Sequence, residues 1–265
     1  MNLLKRLLSF FLADKQKRTP PLKAAVNLLI AAAVIAALFW ISLAQINIKL
    51  NFSFFSYFRV RVWKGFAMTL GLSAASMGLS LLLGILSAAG QSARFLPLRG
   101  LCTLYVRFIR GTPLIMQIYL FFYIVGTALG VDSRFAAGVV ILSVFEGAYI
   151  SEIIRGSLIS MDPSQLEAAR AVGFSRRQTL LNVILPQLAA RTLPALTGQF
   201  ASIIKDSSLL SIIAVTELTQ SMKEISATNF RLFECYLTLG LLYLCLTLPV
   251  TFVTKRLELR FRYEN

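Results

Sequence analysis

Long apolar runs alternate with short polar, basic stretches along most of the chain. A helix that crosses a bilayer needs about 20 mostly apolar residues. Six stretches meet this requirement: residues 24–45, 66–88, 112–131, 135–154, 194–214 and 233–253. The pattern predicts an all-α integral membrane protein with six transmembrane helices. The first run is too long for the core of a secretory signal peptide, so we expect it to be retained as a helix.

The distribution of basic residues predicts the orientation of these helices. Six spans place both termini on one side of the membrane. With the termini in the cytoplasm, 19 Lys and Arg residues lie on the cytoplasmic side and seven lie outside. The positive-inside rule therefore predicts cytoplasmic N and C termini. Basic loops beside anionic lipid also account for the net charge of +15 without nucleic acid as a partner.

Composition argues against catalysis by this chain. It contains no histidine, the commonest general base and metal ligand. Cys102, Cys235 and Cys245 are widely spaced and lie in or beside apolar runs, which favours small core side chains over a disulfide or metal site. No phosphate-binding G-x-x-x-x-G-K-[ST] pattern is present. We predict no catalytic residue, no metal and no cofactor in this chain.

A polar, basic stretch separates the fourth and fifth apolar runs and carries helix-capping signals. Ser164 and Glu167 have the spacing of a capping box. Gly173 suits the left-handed position that ends a helix. Ser175 opens a second box, and Pro186 is predicted to end the helix that follows. The signals predict two short helices joined by a tight glycine turn.

Three interpretations of this helix pair fit its composition. It is a solvated loop, a DNA-binding helix-turn-helix, or a docking surface for another protein. The DNA interpretation is disfavoured because the pair is tethered close to spans at both ends and lacks an aromatic or Asn/Gln cluster for reading bases. Docking is favoured because a loop cannot bury the apolar ridge formed by Leu166, Ala169, Val172, Phe174 and Leu181.

Charged residues within the apolar runs are candidates for function because burying them in lipid is costly. Lys205-Asp206-Ser207-Ser208 lies in the fifth run, where we expect the regular helix to break. Two interpretations stay open for these residues. They form an internal ion pair that fixes helix packing, or they contact a substrate.

Glu146 and Glu152 lie in the fourth run and point about 120° apart around a helix, so they cannot share one narrow pore. Glu152 is predicted to pair with a basic residue such as Arg155. Glu146 either faces a central cavity, where it attracts the ammonium group of a substrate, or is a protonated or paired residue at a helix interface.

The third apolar run has a predicted start. Thr112 is expected to be the N-cap and Pro113 the first helical residue. The basic segment before them, with Arg107 and Arg110, is expected to form an interfacial helix whose arginines anchor it at the cytoplasmic surface.

Several segments resemble one family of transport proteins. The segment "QLEAARAVG" followed by "ILP" is similar to the EAA loop of ABC-importer permeases. The segments "VRFIRGTPLIMQ" (106–117), "GAYISEIIRG" (147–156) and "IIKDSSLLSIIAVTEL" (203–218) are similar to the polar-amino-acid branch of that family. The similarity covers about residues 60–255. The chain departs from the family pattern at Ser164-Gln165, usually Gly-Gln, and at Ser207, usually Thr.

The resemblance implies a type I ABC importer fold, with a five-helix core and one extra N-terminal helix. The implied organisation has three parts. Residues 1–60 hold the N-terminal arm, first helix and external linker, residues 61–255 the transporter domain, and residues 256–265 the tail. The EAA loop, residues 156–190, is implied to fit a groove on a separate ATPase subunit, whose ATP and Mg drive alternating access. The residues implied in this coupling are Gln165, Glu167, Ala168, Ala169, Gly173, Phe174, Arg176, Arg177 and Pro186.

Further roles are expected from the charged and capping residues described above, although Glu146 departs from the small or neutral residue usual at its place in the family. The substrate pathway is expected to include Glu146, Tyr149, Lys205, Asp206, Ser207 and Ser208. Structural or interfacial roles are expected for Arg110, Thr112, Pro113, Glu152 and Arg155. The implied partners are an ATPase dimer, a second copy of this permease or a related one, an extracytoplasmic amino-acid-binding protein and membrane lipid. The expected location is the bacterial cytoplasmic membrane. A stand-alone ion-coupled amino acid transporter is the alternative function.

Overall fold

The computed structural model describes residues 20–45 and 50–260, and all regular secondary structure within these ranges is helical. The sequence predictions for the N-terminal arm, for Lys49 and for the end of the tail lie outside these residues. Contacts divide the chain into two units, Met1–Asn51 and Phe52–Asn265. The domain boundary predicted after residue 60 lies inside the first helix of the second unit.

The first unit contains α1, Pro21–Gln45. Its most apolar stretch has a mean hydropathy of 2.5, the highest of the candidate membrane spans among the described residues. The helix contains no acidic residue and one basic residue, Lys23, near its start. Such a composition suits a membrane-spanning segment.

The second unit begins with α2, Phe54–Gln91. The predicted span 66–88 covers only the C-terminal part of this 38-residue helix. The helix begins earlier than predicted because Phe54 and Val62 are buried in an apolar cluster, with Phe58 and Phe66 packed against it. The basic residues of this stretch interrupt the apolar run but not the helix.

The third predicted span, residues 112–131, begins at a sharp bend in the chain. α3, Leu96–Gly111, is followed by α4, Leu114–Tyr119, and by a π-helical continuation, Leu120–Gly126. The axes of the two parts differ by 114°. Because α3 is amphipathic and turns sharply away from the apolar segment, its geometry agrees with an interfacial helix.

The predicted caps at this break are wrong. Thr112 is extended and ends α3, and its hydroxyl donates to the carbonyl of Phe108 at 2.8 Å instead of accepting a backbone N–H of α4. Pro113 is the N-cap and not the first helical residue. The side chain of Gln117 satisfies the break by donating to the Thr112 hydroxyl at 2.7 Å and to the carbonyl of Ile109 at 2.8 Å.

α5, Arg134–Ile159, packs along α2. Near the start of α5 and the middle of α2, a Cβ atom added to Gly138 would lie 3.5 Å from Leu72. Near their ends, the side chain of Gln91 donates to Ser151 at 2.9 Å. The two helices therefore run in parallel, and α5 reaches the EAA loop at the end of the unit where α2 finishes.

The EAA loop contains α6, Pro163–Ala171, and α7, Arg176–Thr179. A π-helical stretch, Leu180–Ile184, then leads without a gap into α8, Leu185–Asp206. The prediction that Pro186 ends the second helix is wrong. Pro186 lies in the first turn of α8, where a missing N–H is tolerated, directly after the change from π to α geometry.

The fifth apolar run loses α geometry where its polar residues predict a break. α8 ends at Asp206, and a 3₁₀ helix, Ser207–Ile213, follows it. The 3₁₀ helix ends at Ala214, which has a left-handed φ of 53°. The hydroxyl of Ser207 donates to the carbonyl of Ile204 at 2.8 Å, so it satisfies a backbone group near the break.

The last two helices are α9, Leu218–Asn229, and α10, Leu232–Arg260. The buried carboxylate of Glu217 caps α9 by accepting the N–H groups of Thr219 and Gln220, each at 2.7 Å. The hydroxyl of Tyr243 on α10 donates to the same carboxylate at 3.0 Å. This cap fixes α9 against α10.

By length and composition, four described helices are candidates for membrane spans: α1, α2, α5 and α10. The bent pair formed by α3 and the segment from Leu114 to Gly126 is a fifth candidate. α8 is not among these candidates, although it is 22 residues long. The described structure therefore contains four or five candidates where the sequence pattern predicts six.

A glycine substitution tests the packing of α2 against α5. A Cβ atom at Gly84 would lie 2.8 Å from the Cβ atom of Ile150, whereas nothing lies within 4 Å of a Cβ atom at Gly78. We expect Gly84→Ala to destabilise the purified protein by about 1–3 kcal/mol through overpacking. Gly78→Ala is the control and should leave the melting temperature in detergent unchanged or raise it. Equal melting temperatures for the two variants would contradict this packing.

Candidate functional site

The EAA loop is a defined structure with its own caps. Asp162 is the N-cap of α6, its carboxylate accepts the N–H of Ser164 at 2.9 Å, and Pro163 follows as the first helical residue. This hydrogen bond lowers the pKa of Asp162 below its usual value. The predicted box between Ser164 and Glu167 is therefore wrong, because α6 starts earlier. Glu167 is exposed and has no hydrogen bond to Ser164 in the described chain.

Gly173 forms the turn between the two loop helices, as predicted. Its φ is +78°, in the left-handed region. The N–H of Gly173 donates to the carbonyl of Arg170, and the N–H of Phe174 donates to the carbonyl of Ala169, both at 3.0 Å. These two bonds form a Schellman motif, which satisfies carbonyls at the end of α6.

The second capping box is confirmed. Gln178 donates its backbone N–H to the hydroxyl of Ser175 at 3.3 Å, and its side-chain oxygen accepts the N–H of Ser175 at 2.8 Å. With both ends of the turn hydrogen-bonded within the loop, the relative position of α6 and α7 is set by local interactions.

The helix pair presents an exposed apolar and basic surface. Val172 is 71% exposed and Phe174 is 38% exposed. Arg176 and Arg177 make no ion pair with a carboxylate of the described residues. Of the predicted coupling residues, Ala169 is buried, and the others are exposed: Gln165, Glu167, Ala168, Gly173, Phe174, Arg176, Arg177 and Pro186. A surface of this kind is suited to contact with an apolar, acidic groove.

Arg191 joins the two ends of the EAA loop. Its guanidinium donates to the carbonyl of Ser160 at 2.7 Å and to the Ser160 hydroxyl at 2.9 Å. Ser160 is the C-cap of α5, and Arg191 lies near the start of α8. The contact links the end of α5 to the start of α8, so a movement of the loop is passed to both helices.

A second polar cluster lies between α5 and α8. Glu146 is fully buried, and the side chain of Gln199 donates a hydrogen bond to its carboxylate. Asp206 is close enough to interact electrostatically with Glu146. The other Glu146 oxygen, Oε1, is buried without a hydrogen-bond partner among the described residues. Glu146 thus occupies a helix interface in this conformation, which agrees with the second of the two interpretations given for it.

The four polar residues of the fifth run do not act as one cluster. Asp206 faces Glu146, whereas Lys205 is exposed. Ser207 is buried and Ser208 is half-buried, and neither forms a hydrogen bond to Glu146. Only Asp206 of this set is therefore brought together with Glu146.

Glu152 forms a charge network near the EAA loop. Arg155 donates two hydrogen bonds to its carboxylate, at 2.6 and 2.8 Å, as the sequence predicts. Arg110 of α3 lies 3.1 Å from the same carboxylate. The ring of Tyr149, a predicted member of the substrate pathway, lies beside Phe145, and the guanidinium carbon of Arg110 is 5.4 Å from its centre. The network ties the α3–α4 break to α5.

Sequence reasoning missed several residues of these sites. Gln199 carries a detectable signal, because it lies seven residues before Asp206 and thus on the same helix face. Asp162-Pro163 is also a recognisable N-cap followed by proline. Arg191 gives no such signal, since its partner Ser160 is 31 residues away. Only the fold brings them together.

The comparisons with known proteins agree with this architecture. Residues 80–263 match the family of binding-protein-dependent transport system inner membrane components, and the chain belongs to this family. The probable glutamine ABC transporter permease GlnM of Bacillus subtilis is 35% identical over 80% of this chain and 98% of its own length. The glutamine transport system permease GlnP of Escherichia coli K12 is 36% identical over 75% of this chain and 92% of its own length.

A solved structure supports the same fold. It is described as an amino acid ABC transporter with histidines, and the similarity has a TM-score of 0.74 and 30% identity, covering 80% of this chain and all of the other. The inward-facing MetNI methionine ABC transporter aligns with a TM-score of 0.62 at 18% identity over 81% of this chain and all of its own, which shows the fold alone. The chain is a permease subunit with the type I ABC importer fold.

A substitution at Gln199 tests the Glu146 cluster. We expect Gln199→Leu to destabilise the protein by about 1–3 kcal/mol, because it removes the donor to a fully buried carboxylate. Thr197→Val is the matched control, since the Thr197 hydroxyl donates only to the carbonyl of Leu193 on its own helix, at 2.7 Å. The measurement is the melting temperature in detergent. Equal effects of the two substitutions would show that Gln199 does not stabilise Glu146.

Proposed function

We propose that this chain is the membrane subunit of an ATP-driven importer of polar amino acids. The geometry of the EAA loop carries this proposal. A hydrogen-bonded helix pair with an exposed apolar and basic surface lies between α5 and α8 and is joined to both. Such a surface serves as the contact through which a separate ATPase moves the membrane helices.

The assembly follows from the family. Two copies of the ATPase hold ATP and Mg, and a second permease, identical or related, completes the membrane part. An extracytoplasmic binding protein delivers the substrate, and nucleic acid has no role. Because relatives of this chain are named as glutamine permeases, a polar amino acid is the proposed substrate.

The proposed topology has six spans, with both termini in the cytoplasm of a bacterial cell and the chain in its inner membrane. The parallel course of α2 and α5 supports it, because the broken segment between them has to cross back. α8 is the remaining span, and its charged residues face other helices or the substrate pathway instead of lipid. This topology places the EAA loop beside the cytoplasmic ATPase.

Glu146 and Asp206 are proposed to attract the ammonium group of the substrate when α5 and α8 separate during transport. The pairing of these two carboxyl groups supports this role, because together they offer an ammonium group several acceptor oxygens between α5 and α8. Tyr149, Lys205, Ser207 and Ser208 remain proposed members of the pathway. Their contacts in this conformation are with other parts of the chain.

A substitution at Gly173 tests coupling. A side chain at this position has room, because nothing lies within 4 Å of a Cβ atom, but the left-handed φ disfavours β-branched residues by about 1–2 kcal/mol. We expect Gly173→Val to lower ATP-driven uptake several-fold in proteoliposomes at unchanged membrane insertion. Gly173→Asn should retain uptake, since Asn tolerates this conformation. If both variants transport equally well, the turn has no role in coupling.

A substitution at Glu146 tests the substrate pathway. We expect Glu146→Gln to raise the KM for amino acid uptake several-fold, because the amide keeps the size but not the negative charge. The melting temperature should change little, since an amide oxygen still accepts from Gln199. Unchanged KM and rate would leave Glu146 as a packing residue only.

A further inference from the structure

A pocket of about 600 Å³ lies between the N-terminal half of α2 and the start of α5, away from the EAA loop. Its walls come from α2, from the start of α5, from α9 and from the segment that leads into α9. Its volume is within the range of small-molecule sites, about 300–1,000 Å³. The lining residues are Arg61, Lys64, Ala67, Met68, Gly71, Phe135, Thr216 and Ser221.

Close packing of α9 on α2 builds one wall of this pocket. A Cβ atom at Gly65 would lie 2.6 Å from the hydroxyl oxygen of Ser221, so only glycine allows this approach. One turn further along α2, the hydroxyl of Thr69 accepts the N–H of Leu218 at 3.1 Å. The wall is therefore held by backbone contact and by a buried hydrogen bond, which makes the pocket a built part of the fold.

The charges of the pocket are unbalanced. Arg61 forms an ion pair with Glu224 of α9, and Gln220 donates to the same carboxylate at 2.7 Å. Lys64 lines the pocket one turn before Met68 and has no carboxylate partner among residues 20–45 and 50–260. A concave surface with an uncompensated cation concentrates anions.

We propose that this pocket binds a zwitterionic amino acid through its carboxylate, before the substrate reaches Glu146. The proposal rests on the proposed function and deepens it. Lys64 holds the carboxylate, and the hydroxyls of Thr216 and Ser221 are available as donors. Met68 and Phe135 contact the aliphatic part of the ligand.

The pocket is separate from the Glu146 cluster. Phe135 lies 11 residues before Glu146 on α5, which corresponds to about 16 Å along the helix. The two sites also have opposite charge. The carboxylate of a zwitterionic amino acid therefore binds first, at the cationic pocket. Its ammonium group then binds to the carboxylates of the Glu146 cluster.

Cysteine chemistry tests the site in the assembled transporter. Ala67→Cys is introduced after Cys102, Cys235 and Cys245 are replaced by Ala. We expect a sulfonate-bearing methanethiosulfonate to modify it several-fold faster than a trimethylammonium-bearing one, and Lys64→Gln should abolish this preference. Millimolar L-glutamine without binding protein should slow both reactions. Tyr57→Cys, exposed near the start of the same helix, is the control and should not be protected.

Several results would overturn the proposal. The first is equal modification rates with the two reagents. The second is that the binding protein protects the cysteine at position 67 but the free amino acid does not. The third is no modification at all, which would mean that another subunit covers the pocket. Uptake by the unmodified transporter is measured in parallel. If the transporter takes up amino acid but the amino acid does not protect the cysteine at position 67, the pocket is rejected and the proposed function stands. If the transporter takes up no amino acid, the proposed function itself is rejected.

A second measurement avoids replacing the native cysteines. In the otherwise unchanged chain, Lys64→Gln should raise several-fold the KM for uptake, measured by varying the concentration of loaded binding protein, and Lys64→Arg should retain the normal KM. ATP hydrolysis without substrate should be the same in both variants, because the pocket is remote from the EAA loop. An unchanged KM in Lys64→Gln would contradict the role of Lys64.

Discussion

The contact between α2 and α5 is the interaction on which the other features depend. Gly84 lets α2 approach Ile150 and the carbonyl of Gly147 on α5, and a Cβ atom at Gly147 would in turn lie 3.0 Å from Leu83. Inside a membrane, packing of this kind replaces the hydrophobic effect as the force between helices. Because the two helices are parallel, their N-terminal parts lie at one end of the second unit and their C-terminal ends lie at the other. The EAA loop follows one end of α5, and the basic pocket lies at the other.

Polar residues in this protein mostly join segments that would otherwise be separate. Gln117 spans the break between α3 and α4, Glu217 fixes α9 to α10, and Arg191 closes the base of the EAA loop. Each makes hydrogen bonds to backbone or side-chain groups near a helix end, where an unmade hydrogen bond is costly in an apolar environment. Glu146 differs from these residues because the group of α8 that faces it, Asp206, is also a carboxyl group. That difference is the reason why we propose a role for Glu146 in transport as well as in structure.

Local signals in the sequence were sufficient for much of this description. The turn at Gly173, the box at Ser175, the pairing of Glu152 with Arg155 and the loss of α geometry after Asp206 all depend on residues close in the chain. The predictions were wrong where two local signals competed. At Ser164 the cap is the earlier residue Asp162, and at Pro186 the helix continues because a π-helical stretch precedes the proline. Contacts between distant residues, such as Glu146 with Gln199, required the fold.

Photo-crosslinking can test the proposed contact between the EAA loop and an ATPase subunit. A photoreactive amino acid replaces Phe174 in the loop or, as a control, Leu129, which is 73% exposed and lies just before the start of α5. After irradiation of intact membranes, we expect a covalent adduct with the ATPase from position 174 and none from position 129. An assembled, transport-active complex that gives no adduct from position 174 would contradict it.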